Sequence, residues 1–189
     1  MRVFRKPALL AGLASVVLSA CGAPPPGTAL TVNDTVVPSH LYDVLVRSGE
    51  RRLERQGLLI GSGTSEGAAR LKDVEVSAIK KLVRDATLDE LAKQRHIVVT
   101  AAELDAGVGR IEKGVGGTTV VDGQLALDQM TRQDFKDLLR FTMLEQRLSL
   151  ADPKGFPRAL STALRDAHVT VYVAPCSSDH SYPQCLNGS

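Results

Sequence analysis

Three cysteines and four histidines carry most of the chemistry open to this chain of 189 residues. Cys176, His180 and Cys185 stand close together near the C-terminus, and two thiolates with one imidazole are a donor set that zinc or copper accepts. The same two thiols can instead join each other, and the redox compartment decides between the two outcomes. The third thiol, Cys21, closes a short apolar run. His40, His96 and His168 are scattered, with no paired-histidine helix motif, no Gly-x-Ser-x-Gly elbow and no glycine loop ending in Lys-Ser or Lys-Thr to cradle phosphate. Gly114-Val115-Gly116-Gly117 lacks the preceding strand that a nucleotide site needs and reads as a loop. Asp85, Asp89, Glu90, Glu103 and Asp105 fall on expected helix faces or caps, where a charge is ordinarily solvated. No residue pattern therefore nominates a catalytic group, a cofactor or a resident metal, and the expectation is a protein that is not an enzyme.

The start of the chain carries a different kind of chemistry. Arg2, Arg5 and Lys6 precede an apolar stretch, Pro7 to Leu18, whose length suits a secretory signal and falls short of the roughly twenty residues that cross a bilayer. Its end, Leu18-Ser19-Ala20-Cys21, resembles the lipobox of bacterial lipoproteins. That resemblance implies removal of residues 1–20 and a diacylglycerol thioether on Cys21. Two acyl chains satisfy the condition for lasting anchorage, so the expected location is extracytoplasmic, on the cell membrane or the outer membrane. In that oxidising setting Cys176 and Cys185 are expected to form a disulfide that closes a tail, residues 176–189, rather than to bind metal.

Removing the leader also changes the charge. It holds three of the 23 basic residues and none of the 21 acidic ones, leaving 20 against 21. A near-neutral chain without a basic stripe argues against nucleic acid as a partner.

Residues 21–28, rich in proline and glycine, read as an extended spacer, and order is expected from Ala29. Ala29-Leu30-Thr31-Val32 and Thr35-Val36-Val37 read as two strands joined at Asn33-Asp34, a pair that tolerates left-handed turn geometry. A helix follows Pro38-Ser39. Glycines from 57 to 67 mark a loop, inside which Leu58-Leu59-Ile60 is expected to plug the core, the alternative being an exposed apolar contact. Leu71, Val74, Ala78, Ile79, Leu82, Val83 and Ala86 recur three or four apart, which predicts a long amphipathic helix over 69–94. Thr100-Ala101-Ala102-Glu103 is a capping box that opens the next helix. After a glycine-marked loop, 123–130 reads as a short helical turn, and Thr131 to Asp134 caps a helix with apolar residues on two faces. Phe135, Leu138 and Leu139 lie on one face; Phe141, Leu144 and Leu148 lie on the other. Phe156 to Ala167 predicts a further helix. His168 to Val173 alternates like a closing strand that pairs with the first hairpin.

This order of parts, from Ala29 to Val173, resembles the N-terminal domain of the SurA and PrsA class of extracytoplasmic chaperones and foldases. The resemblance rests on Leu30-Thr31-Val32-Asn33-Asp34, on the helix joint from Leu91 to Leu104, and on Met130 to Arg140. It implies a mainly α domain over 29–175 with a small two- or three-stranded sheet joining the N- and C-terminal segments. Many members insert a parvulin-type prolyl isomerase domain before the closing strand. Here only Ser149 to Gly155 separates the main helix from the last one, so isomerase activity is not carried over. What the resemblance implies is a membrane-anchored holdase for unfolded or extended client chains, with the helix 132–148 and the Leu58-Leu59-Ile60 loop as candidate contact surfaces. The alternative is a structural or assembly lipoprotein that holds one specific protein partner.

Overall fold

The computed structural model describes residues 26–61, 63–178 and 180–186. The leader, Cys21 and most of the spacer lie outside the described residues, so the lipidation reading is an expectation from sequence alone.

β1 (Thr28–Val32) and β2 (Thr35–Pro38) form an antiparallel hairpin, and Asn33 takes the positive φ of 49° that its tight turn requires. Leu30, Val32 and Val37 turn inward, while Thr31 and Val36 occupy the opposite face, as the period of two demands. β3 (Val169–Val171) pairs antiparallel with the other side of β1, giving the order β2-β1-β3. The chain's two ends thus meet in one sheet. Six helices accompany it among the described residues, of which α1 and α2 pack on the sheet: α1 (Ser39–Arg55), α2 (Ser65–Gln94), α3 (Ala101–Val115), α4 (Thr118–Leu127), α5 (Arg132–Ala151) and α6 (Phe156–Asp166). The fold is mainly α with a small sheet, as expected.

α2 is the spine. Its first half packs Ile79, Leu82 and Val83 against Leu30, Val32 and Val171 of the sheet and Leu41 of α1. Its second half packs Leu88 and Leu91 against Leu144 and Leu148 of α5 and Phe156 and Leu160 of α6. Full burial of each such side chain contributes about 1.5–3 kcal/mol, so one helix couples two cores. α1 lies close against α2: a Cβ on Gly49 would come 2.6 Å from Val74 Cγ1. α5 packs against α2, α3, α4 and α6, the central position that its two apolar faces predict.

The helix starts follow local chemistry. Thr64 accepts from the Gly67 N–H, and Thr100 with Glu103 and Thr131 with Asp134 form reciprocal capping boxes. Two expectations are corrected. α4 begins directly after Gly117, taking in residues 118–122 that glycine content alone assigns to a loop. The Leu58-Leu59-Ile60 segment does not plug the core, since Leu59 is 70% exposed and none of the three residues joins either core; α1 and α2 meet directly across Gly49 and Val74 without it.

The tail joins the first core. Cys176 and Cys185 lie with their sulfurs at disulfide distance, 1.95 Å, and both are buried with Leu186 against the sheet. Tyr42 of α1 donates its hydroxyl to the Ala174 carbonyl at 2.6 Å. Burial, with the negative charges of Glu75, Asp43 and Glu50 adding to it, raises the Tyr42 pKa and keeps that donor protonated.

Candidate functional site: a groove between a sheet edge and α5

All four residues of β2 line a groove whose floor is α2 and whose far wall is α5. Its volume is about 260 Å³. Val37, Pro38 and Leu41 contribute apolar surface on one side, Leu82 and Ala86 the floor, and Phe141 the opposite wall. Among these, the short hairpin fixes β2, and Pro38 hands the chain directly into α1. Phe141 is half-buried and sits on the face of α5 that also buries Leu144 and Leu148.

Charged groups punctuate this apolar lining. Asp85 is 3% exposed and accepts from Lys81 Nζ at 2.7 Å. Desolvation raises its pKa against the opposing pull of Lys81 and Arg84. Asp89, also buried, is paired with Lys93 at 2.8 Å and with Arg140 of α5, and the Arg140 guanidinium lies 5.3 Å from the Phe141 ring centroid. Asp137 accepts from the Gln133 amide at 2.8 Å. At the turn end of β2, Glu90 accepts from Asn33 Nδ2 at 2.7 Å and Thr35 Oγ1 at 3.1 Å. Asp85 and Asp89 correct the sequence reading, which places them on a solvated helix face. They share the stripe of Leu82 and Ala86, and that spacing was the available signal that they face inward.

Away from the groove, Arg55 at the end of α1 pairs with Asp128 at 2.7 Å and donates to the Leu127 carbonyl. This ties α1 to the turn between α4 and α5. Arg147 of α5 bonds Glu103 and the Val98 carbonyl. Hydrogen bonds from Arg147 and Thr100 hold the Glu103 carboxyl down at about 2, so the α3 cap stays ionised in all but strongly acidic solution.

The residues singled out by sequence separate into distinct places. Cys176 and Cys185 meet, but His180 donates Nδ1–H to the Val171 carbonyl at 2.7 Å instead of joining them. Among the described residues no group of three or more His, Cys, Asp or Glu side chains is arranged to hold a metal ion. Of the two candidate contact surfaces, α5 supplies the groove wall through Asp137, Arg140 and Phe141, whereas Leu59 stands on another part of the surface. Val36, 49% exposed at the rim, is legible in sequence only as a strand residue, because alternation tells which face a residue takes, not whether a neighbouring strand covers it.

Comparison with family models, with curated proteins and with solved structures gives no match.

Proposed function

We propose that the protein is a membrane-anchored extracytoplasmic holdase that binds unfolded or extended stretches of exported polypeptides, without isomerase activity and with Cys21 as its lipid attachment point. The observation that carries this reading is the groove between β2 and α5. It is open to solvent, lined by apolar Val37, Leu41, Leu82, Ala86 and Phe141, and interrupted by charged side chains of which Asp85, Asp89 and Arg140 are held in ion pairs. A client segment laid there removes apolar surface from water at roughly 25 cal/mol per Å², while the Asp85 and Asp89 carboxylates keep their own cation partners. A groove of this size takes one or two side chains of an extended chain at a time, which suits weak, reversible capture rather than tight enclosure.

Two measurements test the reading. The full chain, reconstituted in lipid vesicles, is expected to slow aggregation of several unrelated unfolded proteins in proportion to its concentration. Failure with all of them, together with stoichiometric recovery of one protein from membranes, would replace this reading by that of an assembly lipoprotein. Separately, Cys21→Ser is expected to move the protein from the membrane to the soluble fraction, and full retention of the variant on the membrane would overturn the anchor.

A further inference from the structure

The hydrogen-bond alternation of the small sheet fixes which backbone groups are left over. Asn33 N–H donates to the His168 carbonyl at 2.7 Å and Tyr172 N–H to the Ala29 carbonyl at 2.8 Å. Ala29, Thr31 and Asn33 therefore direct their backbone groups toward the β3 side, and Leu30 and Val32 direct theirs toward Val37 and Thr35. By the same alternation Val171 on β3 and Val36 on β2 each point an N–H and a C=O outward from the sheet. Both groups of Val171 are satisfied by one residue: its N–H donates to the His180 carbonyl at 3.2 Å, and its carbonyl accepts from His180 Nδ1. Neither group of Val36 has a partner among the described residues.

That unpaired position opens onto the groove, and the charges beside it are asymmetric. Asp85 and Asp89 have their own cations, Lys81 for the first and Lys93 with Arg140 for the second. Asp137 on the opposite wall and Glu90 at the turn end of β2 accept only from neutral donors, namely Gln133 for the one and Asn33 and Thr35 for the other. The groove thus offers an extended chain a backbone donor and acceptor on one side and, on the α5 wall, the Asp137 carboxylate that no cation bonds among the described residues, the neighbouring Arg140 being held by Asp89.

We propose that β2 is a strand-addition site: an extended polypeptide segment bearing Lys or Arg joins the sheet beside β2, bonds Val36 through its backbone, and sets its cationic side chain against Asp137. This deepens the holdase reading, on which it rests, by naming the client as an extended segment of basic and apolar residues. Recognition through backbone groups makes capture tolerant of client sequence, whereas the carboxylates set a preference of charge.

The test uses a fluorescein-labelled peptide, Thr-Val-Lys-Val-Thr, with the full chain in vesicles and fluorescence anisotropy as the readout. Methylating the peptide's backbone nitrogens should weaken binding at least about tenfold, because strand donors are lost without loss of apolar surface. Replacing the peptide Lys by Glu should weaken it about fivefold or more at low salt, and Asp137→Lys should reverse that preference. Val36→Pro removes the outward N–H and leaves the β1 ladder intact, so it should match the effect of peptide methylation. Should that variant fail to fold, the methylated peptide on the unaltered protein carries the same test. Equal binding of the methylated and unmethylated peptides would overturn strand addition, and equal binding of the Lys and Glu peptides would overturn the charge preference. If the unaltered chain suppresses aggregation and Val36→Pro does so equally well, the holdase reading stands and the strand site falls. If the unaltered chain neither binds peptide nor suppresses aggregation, both fall.

Discussion

The two edges of one three-stranded sheet are finished in opposite ways. At β3 a disulfide-closed tail folds back, and His180 meets both outward groups of Val171 with its own backbone and ring, its ring tilted against Tyr172 with centroids 5.3 Å apart. At β2 the corresponding groups of Val36 face an open groove. An exposed strand edge invites pairing with other chains, and proteins ordinarily cover, shorten or charge such edges. Here the covering device is spent on β3. The β2 edge is short and ends in Pro38, which limits how far a foreign strand can extend along it, yet the groove next to it is apolar. The contrast teaches that exposure at β2 is selective: among the described residues one pair of backbone groups is left free, beside the groove that Asp137 lines.

Removing the tail's covalent closure should change the comparison most. Cys176→Ala with Cys185→Ala is expected to lower stability by about 2–4 kcal/mol, read by urea unfolding, and to speed hydrogen exchange at the Val171 amide toward the rate at Val36. Unchanged exchange at Val171 would show that the tail's packing, not its closure, seals that edge.

His180→Ala makes the same comparison more gently. It deletes the ring donor to Val171 while leaving the backbone bond, and should cost about 1 kcal/mol. Its effect on exchange should be confined to β3 and the tail. A spread of faster exchange to β2 would mean that the two edges are coupled rather than independent.

The smallest effect concerns the groove floor. Burial raises the Asp85 pKa in the native state, so the native protein binds that proton more tightly than the unfolded chain does. The stabilising contribution is complete below the unfolded value near 3.8 and is lost as pH rises through the native value. Asp85→Asn should therefore match the parent's stability in acid and gain on it as pH rises toward neutrality. A parent that instead gains on Asp85→Asn as pH rises would show that the pair with Lys81 outweighs burial.

Much of this scaffold was legible in sequence because it is encoded locally. The three- and four-residue spacing of Ala78, Ile79, Leu82 and Val83 gives α2 its buried face, and Thr100 and Thr131 announce the starts of α3 and α5 through side-chain bonds made within four residues. The hairpin turn at Asn33 is local as well. What escaped is long-range. Asp85 carries the same charge as an exposed helix residue, and only the arrival of β2 and α5 over α2 buries it. The open state of Val36 depends on where residues 170–186 go, some 140 positions along the chain. Even the pairing of Cys176 with Cys185, a natural expectation from compartment, gave no hint that His180 between them would close a sheet edge.

The most direct measurement of the central claim is amide hydrogen exchange at Val36 in the full, vesicle-anchored chain, with and without an unfolded client. Strand addition predicts fast exchange in the free protein and marked protection when client is bound, with Val171 protected in both. Demonstrated client binding that leaves the Val36 amide exchanging as fast as before would contradict it.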